Sequence, residues 1–147
     1  MKLKDFDFRI WSVKKEKYLD ELYSNIISLS SDKSIKGYNR NYKILAIEFS
    51  PYDSIPLMND NEECFEIELF TGIYDKKGKK VYENDIVKVK SLYDYFLAKI
   101  RIHKAGTFYF ERKNGDYLGS LHYLVEDKGY TIEIIGNIHE NKELLKG

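Results

Sequence analysis

The chain has 147 residues, the usual size of one domain and enough to bury a core. Its 24 basic residues balance 24 acidic ones, which argues against a dedicated DNA-coating protein or attraction to an anionic membrane. The single cysteine, Cys64, excludes an intrachain disulfide and a finger-type zinc site. The charged N-terminus is not followed by the apolar stretch of a signal peptide, and no apolar run is long enough to span a membrane, so we expect a cytoplasmic protein.

The N-terminal part carries two competing patterns. Alternation at Phe6, Phe8 and Ile10 predicts a strand, with a turn at residues 13–17 and a second strand from Tyr18. Apolar spacing across residues 15–29 also fits one face of a helix. Further along the chain, we predict a strand at residues 43–49 between loops at residues 28–41 and 51–63.

Residues 65–70 alternate between apolar and acidic side chains. The period of two predicts a strand with Phe65, Ile67 and Leu69 facing the core and Glu66 and Glu68 facing outward.

Two tight corners follow this strand. Asp75 offers an acceptor to nearby backbone N–H groups and Gly78 enters positive φ without steric cost, so residues 75–78 predict a hairpin. Asn84 tolerates the left-handed conformation that a second corner requires. Residues 86–90 then form a strand with its valines inward and its lysines outward.

The C-terminal half predicts strands at residues 98–103, 108–110 and 131–135, with a hairpin signal at Asn114-Gly115. Residues 118–125 fit either a helical turn or an edge strand, and Asn137 or Asn141 is expected to cap a short helix at residues 143–145. We therefore predict one mainly β domain, α+β with little helix. Its antiparallel strands form a small curled sheet or SH3-like barrel at residues 65–147, with the N-terminal hairpin and variable loops of residues 1–64 packed on it.

Three segments, residues 6–11, 71–87 and 135–145, resemble in sequence, order and spacing the signature segments of the YopX family of phage and prophage proteins. The motif positions to which we assign a structural role are Arg9, Trp11, Thr71, Gly72, Asp75, Gly78, Asn84, Asp85, Gly136 and Asn137. Two residues depart from the pattern: Asn84 replaces a usual glycine, and Lys142 replaces a common proline. The resemblance implies a mainly β fold, a hairpin reaching at least Leu19, a phage or prophage origin in a bacterial host, and no established activity.

One group of basic residues is expected to share the outer face of neighbouring strands beside Tyr82, Tyr93 and Tyr95. With one further tyrosine, the candidate nucleic-acid face comprises Lys88, Lys90, Lys99, Arg101, His103, Lys104 and Tyr109. Charge for phosphates and rings for stacking suit a single-stranded nucleic acid. We favour the plainer interpretation, a solvated strand face with Glu111 and Glu133 as cross-strand partners.

The remaining chemistry-bearing residues predict no active site. His103, His122, His139 and Cys64 are scattered singly, without the paired spacing of metal ligands, so we predict no metal and no cofactor. A further polar set consists of Thr71, Asp75, Asp85 and Asn137. It includes a carboxylate pair, but the sequence marks no nucleophile, phosphate-binding loop or triad partner. We predict turn-forming roles for these residues and no enzymatic activity.

Aromatic residues make up 15% of the chain, with thirteen tyrosines, eight phenylalanines and one tryptophan. A sheet of this size leaves several rings at the surface, where tyrosine favours interfaces. We therefore predict a phage or prophage accessory protein that acts by protein–protein binding or self-association, with no membrane partner. The alternative is a small nucleic-acid-binding module that uses the basic face.

Overall fold

The computed structural model describes residues 2–18, 26–30, 44–48, 54–56 and 65–146. The chain divides into two compact units, one formed by Met1–Arg9 and Ile67–Gly147 and the other by Ile10–Glu66. Among the described residues, no helix combines the length and apolar character needed to cross a membrane.

Residues 10–66 take part in two antiparallel arrangements. Strand β1 (Phe8–Ser12) pairs with β2 (Lys17–Tyr18) through Trp11 and Tyr18, whose ring centroids lie 4.9 Å apart. Strands β3 (Ile26–Ser30), β4 (Ile44–Glu48) and β5 (Ser54–Pro56) form a three-stranded sheet in that order. The N-terminal hairpin is therefore confirmed as far as Tyr18, since Leu19 lies outside the described residues, and the strand predicted at residues 43–49 is confirmed over Ile44–Glu48.

Two predictions for this unit are wrong where the structure describes the chain. The helix alternative for residues 15–29 fails because residues 17–18 and 26–29 lie in strands, where β-branched Ile26 and Ile27 are well suited once β4 supplies a pairing partner. The two predicted loops also contain the end of β3 and all of β5. Their other residues lie outside the described chain.

The unit containing residues 67–147 is built on a curled half-barrel sheet, so of the two predicted forms the curled sheet is found. Its five antiparallel strands are ordered β11 (Tyr117–Ser120), β10 (Phe108–Glu111), β9 (Tyr95–Ile102), β8 (Asp85–Lys90) and β12 (Thr131–Asn137). The core residues are Ile73, Val81, Val87, Val89, Ala98, Ile100, Phe110, Leu121 and Ile132. Val87 and Val89 of β8, and Ala98 and Ile100 of β9, come from alternate positions of their strands, as the period of two requires.

The β6–β7 hairpin covers the outer edge of this sheet. Strand β6 (Phe65–Tyr74) pairs with β7 (Lys80–Tyr82) across the predicted turn, where Gly78 has φ +81. The amide of Lys76 donates to the carbonyl of Ile132 at 2.9 Å, and Oδ2 of Asp75 accepts from the amide of Ile134 at 3.2 Å. The turn thereby satisfies backbone groups that an edge strand would otherwise expose.

Strand β6 corrects one sequence-based expectation. Glu68 was expected to face outward, but its exposure is 0%, whereas Ile67 and Leu69 are only half-buried. Alternation identifies the strand but not which set of side chains is covered. The buried set includes Glu68 because charged and polar groups from other elements meet it there.

The C-terminal segments resolve two further alternatives. Residues 118–125 contain both predicted structures in succession, the end of β11 and the start of a short π-helical segment, Tyr123–Asp127. A 3₁₀ turn at Lys142–Leu145 begins after Asn141, but its N-cap makes no side-chain hydrogen bond. Oδ1 of Asn141 accepts instead from the amide of Asn137 at 3.1 Å, so the predicted capping role is wrong.

Candidate functional site

A buried ion pair joins the N-terminal segment to two strands of the same unit. Arg9 donates through Nε to Oε2 of Glu68 at 2.6 Å and through Nη2 to Oδ1 of Asp85 at 2.8 Å. The same Nη2 also donates to the carbonyl of Glu83 at 3.2 Å. One guanidinium therefore contacts two carboxylates and the corner between β7 and β8.

Further side chains meet the buried carboxylate of Glu68. Nδ2 of Asn84 donates to Oε1 at 2.8 Å, and Nε2 of His139 lies 2.7 Å from the same oxygen. Arg101 extends the network by donating from Nη1 to Oδ1 of Asn84 at 2.5 Å. We call the whole set the charge cluster, and it comprises Arg9, Glu68, Asn84, Asp85, Arg101 and His139.

The backbone at Asn84 holds the centre of the charge cluster in place. Asn84 has φ 68, the left-handed value predicted for this corner. Its amide donates to the carbonyl of Ile100 at 2.8 Å, and its carbonyl accepts from the amide of Ile138 at 3.0 Å. The corner is thus fixed by backbone on both sides before its side chain reaches Glu68.

The carboxylates of the charge cluster are buried, and hydrogen bonds occupy their oxygens. Burial raises the pKa of Asp85 to about 6, against the lowering effects of Arg9 and of the hydrogen bond from the Tyr82 amide. Each oxygen of Glu68 and Asp85 has a hydrogen-bonding partner. A general base needs an acceptor that reaches substrate, and both carboxylates are fully or almost fully buried.

Other polar motif residues lie at separate corners. Oδ1 of Asp75 accepts from the amides of Lys77 and Lys79, both at 2.9 Å. Burial opposes ionisation, but hydrogen bonds from the backbone of Lys79, Ile134 and Lys77 hold the pKa of Asp75 below its ordinary value. Asp75 therefore stabilises its own turn and binds the edge of β12, and it lies away from the charge cluster.

Thr71 and Asn137 also bind local backbone. Oγ1 of Thr71 donates to the carbonyl of Val81 at 2.8 Å, within the β6–β7 hairpin. Oδ1 of Asn137 accepts from the amides of His139 and Glu140 at 3.0 and 2.9 Å. This turn presents the imidazole of His139 to Glu68.

Sequence reasoning placed Asp85 and His139 in separate turns, and the structure brings them together through Glu68 and Arg9. The sequence did not identify Glu68 as a site residue, because a strand glutamate between apolar residues is expected to face solvent. The three signature segments did contain a signal: each supplies a polar residue to the charge cluster, namely Arg9, Asp85 and His139.

The histidines occupy three different places. His139 contacts Glu68, Nε2 of His122 lies 2.8 Å from the carbonyl of Thr71, and Nδ1 of His103 accepts from the amide of Ala105 at 3.2 Å. Cys64 lies outside the described residues.

The predicted basic face divides into groups with different partners. Lys99 forms an ion pair with Glu111 at 2.6 Å, while Arg101 belongs to the charge cluster and also lies 4.0 Å from Glu111. Tyr109 donates to Glu111 at 3.2 Å. His103 and Lys104 lie beyond the end of β9, in the turn toward β10.

Lys88 and Lys90 differ from these residues. Their ammonium groups lie 4.8 and 5.5 Å from the ring centroid of Tyr95. Glu133 is directly opposite Lys88 in the register of β8 with β12, as predicted, but among the described residues neither lysine forms an ion pair with a carboxylate. They border a cleft of about 280 Å³. We call it the basic cleft, and it is lined by Lys76, Lys88, Lys90, Tyr95, Thr131, Ile132 and Glu133.

The turn between β8 and β9 presents the most exposed large apolar side chains of the described residues, Leu92 at 82% and Tyr93 at 95%. Hydrogen bonds around Ser91 and Asp94 define this turn: the amide of Ser91 donates to the carbonyl of Asp94 at 2.9 Å, and Oγ of Ser91 accepts from the amide of Asp94 at 3.2 Å. We call Leu92 and Tyr93 the hairpin tip.

The fold defines a class of mainly β proteins built on a curled antiparallel sheet, with a charge cluster beside its β7–β8 corner. Residues 7–146 match the family described as YopX protein, and the chain belongs to that family.

Two solved structures share the fold. Protein EF1440 from Enterococcus faecalis is 25% identical, with a TM-score of 0.54 over 96% of this chain and 98% of that one. Protein yopX from Bacillus subtilis is 19% identical, with a TM-score of 0.57 over 95% of this chain and 97% of that one. No curated protein matches the chain significantly. These relationships show the family and the fold.

Proposed function

We propose that this YopX-family protein is a phage or prophage accessory protein that binds a protein partner, or a second copy of itself, without catalysing a reaction. The observation that carries the proposal is the exposure of Leu92 and Tyr93 at a hydrogen-bonded turn. Tyrosine at such a position supplies a large, stiff and amphipathic contact.

The local structure supports a binding role for the hairpin tip. Backbone groups and the side chains of Ser91 and Asp94 form the described hydrogen bonds of the turn. The hydroxyl group of Tyr93 takes part in none of these bonds. A preformed turn reduces the ordering cost of association. Because the chain has no net charge, two copies of the protein have no overall electrostatic repulsion to overcome.

The charge cluster supports the non-catalytic part of the proposal. Its carboxylates are already bound by Arg9, Asn84, His139 and a backbone amide. Their burial favours a role in joining segments of the fold over one in contacting substrate.

The hairpin tip is tested with the double variant Leu92→Ser/Tyr93→Ser and the control Tyr117→Ser, an exposed tyrosine on β11. Light scattering across a wide concentration range reports self-association, and affinity capture from host and phage-infected extracts, with mass spectrometry, reports a partner. We expect one reproducible complex that the tip variant abolishes and the control retains. A monomer that captures nothing, or a complex indifferent to the tip variant, contradicts the proposal.

A second candidate function is single-stranded nucleic-acid binding, favoured by the position of Lys88 and Lys90 beside Tyr95. The face is narrower than predicted, since Lys99 and Arg101 are engaged by other residues. Fluorescence anisotropy with a labelled oligonucleotide should show affinity that falls steeply with salt and weakens more in Lys88→Gln/Lys90→Gln than in Lys99→Gln. Salt-insensitive or absent binding removes this candidate.

A further inference from the structure

We propose that the basic cleft binds a phosphate monoester, such as the terminal phosphate of a nucleotide. The inference concerns the same lysines as the second candidate function but can hold without it, and it narrows the predicted basic face to one cleft and one chemical group. It does not depend on the hairpin tip.

The positions of two lysines on β8 concentrate positive charge at the basic cleft. Lys88 and Lys90 are two residues apart, so they project from the same face at a backbone spacing of roughly 6.6 Å. In the register of β8 with β9, Lys90 is opposite Tyr95 and Lys88 is opposite Leu97. Both ammonium groups lie within 5.5 Å of the ring centroid of Tyr95, so one ring contacts two cations.

The acidic residue of the cleft, Glu133, lies opposite Lys88 in the register of β8 with β12, but it forms its ion pairs with two other lysines. Oε2 of Glu133 lies 2.5 Å from Nζ of Lys76, and Oε1 lies 2.7 Å from Nζ of Lys77. Hydrogen bonds from these two lysines lower the pKa of Glu133 to about 2, so its carboxylate is ionised and already doubly paired at neutral pH. Lys88 and Lys90 therefore keep their charge available for a ligand.

The size of the cleft selects a small group. Its volume of about 280 Å³ lies just below the range of ligand pockets, which begins at about 300 Å³. Thr131 adds a hydroxyl group to the lining, and a hydroxyl is a suitable donor to a phosphate oxygen. A phosphate with part of a sugar fits this space better than an extended ligand.

The charge of the cleft favours a monoester over a diester. A monoester carries about −1.5 to −2 at pH 7, whereas each phosphodiester of a nucleic-acid backbone carries a single charge. Two lysines acting as point charges complement the dianion. A terminal phosphate should therefore bind more tightly than an internal phosphate of a strand.

The experiment is an amide-detected NMR titration with a 5′-mononucleotide, inorganic phosphate and the matching nucleoside. We expect the two phosphates to shift the amides of residues 88–95 and 131–133 saturably, and the nucleoside to leave them unchanged. Lys88→Gln/Lys90→Gln should raise the Kd at least about tenfold, a change of about 1.4 kcal/mol. Lys14→Gln/Lys15→Gln, with the same loss of charge at the β1–β2 turn, should change it by less than about twofold.

Other outcomes of the titration would count against a phosphate site in the basic cleft. The inference is overturned if the shifts fail to saturate, or if the two double variants change the Kd equally. Either result would show only a general ion atmosphere around the protein. Glu133→Gln supplies a second variant that leaves Lys88 and Lys90 in place. It should tighten phosphate binding about threefold by freeing Lys76 and Lys77, and weaker binding would contradict the inference.

Oligonucleotides with and without a 5′-phosphate separate this inference from the second candidate function. Oligonucleotide binding that ignores the 5′-phosphate, with no binding of the mononucleotide, refutes the monoester site and leaves nucleic-acid binding intact. Mononucleotide binding without binding of either oligonucleotide supports the monoester site and refutes nucleic-acid binding.

Discussion

Nε of Arg9 lies 2.6 Å from Oε2 of Glu68, and the two residues are separated by 59 positions in the chain. Glu68 has no exposed surface, while the side chain of Arg9 retains 23% exposure. A buried carboxylate loses its hydration, so this contact offsets a cost that the isolated residue would impose. The pair therefore makes the N-terminal segment a required part of this unit.

Arg9→Met tests this requirement. The methionine fills part of the space but leaves Glu68 and Asp85 without their shared cation, so we expect the free energy of unfolding to fall by about 2–4 kcal/mol. Urea denaturation provides the measurement. Arg112→Met, at an exposed arginine in the β10–β11 turn, should cost less than about 0.5 kcal/mol. Equal losses in the two variants would show that Arg9 has no special role.

Asn84 combines a backbone role with a side-chain role, and two substitutions separate them. Asn84→Ala removes the bonds to Glu68 and Arg101 and places an alanine at φ 68. Asn84→Gly removes the same bonds but accepts this backbone conformation without strain. We expect denaturation to show the alanine variant about 1 kcal/mol less stable than the glycine variant. Equal stability would mean that the left-handed corner imposes no cost.

Asp75→Ala should loosen the covered edge of β12. The substitution leaves the amides of Lys77, Lys79 and Ile134 without their acceptor, so we expect a loss of about 2–3 kcal/mol. Hydrogen exchange should accelerate at Ile134. Asp127→Ala, at an exposed aspartate of the helical segment, serves as the control and should leave exchange at Ile134 unchanged. Slow exchange at Ile134 in Asp75→Ala would exclude the proposed closure of the edge.

The pKa of Asp85 predicts a distinctive pH dependence. Burial raises this pKa from the ordinary 3.8 to about 6, so the folded protein holds the proton more tightly than the unfolded chain. The resulting stabilisation is complete below about pH 4 and is lost as the pH rises through 6. Relative to Asp85→Asn, the wild type should lose roughly 1–3 kcal/mol of unfolding free energy between pH 4 and 7.

Asp85→Asn also serves as the reference for the other titrating carboxylates. The lowered pKa values of Asp75 and Glu133 make the fold more stable as the pH rises, but the wild type and Asp85→Asn share those contributions. Denaturation across this pH range therefore isolates Asp85. Parallel stability profiles for the two proteins would refute the raised pKa.

Local turn chemistry is what the sequence predicts best in this protein. The turn of Asp75 and Gly78, the corner at Asn84 and the Asn114-Gly115 hairpin each depend on residues close together in the chain. The charge cluster depends on distant residues, since Glu68 meets Arg9 and His139 across 59 and 71 positions. Alternation could not show that Glu68 belongs to the buried set, because its partners lie on other elements.

The basic face shows the same limit. The strand positions of Lys88, Lys90 and Lys99 followed from alternation, but their partners depend on which strands are neighbours. Lys99 is opposite Glu111 in the register of β9 with β10, whereas Lys90 is opposite Tyr95 in that of β8 with β9. Lys99 therefore forms an ion pair with a carboxylate, whereas Lys90 contacts an aromatic ring. This difference becomes visible only when the order of the strands in the sheet is known.

The unfolding free energy of Glu68→Gln tests most directly the central claim that the charge cluster holds the fold together. Urea denaturation at pH 7 should show a loss of about 2–4 kcal/mol, because Arg9 and His139 lose the carboxylate that they share. Glu126→Gln, at an exposed glutamate, should change the value by less than about 0.5 kcal/mol. Wild-type stability in Glu68→Gln would contradict the claim.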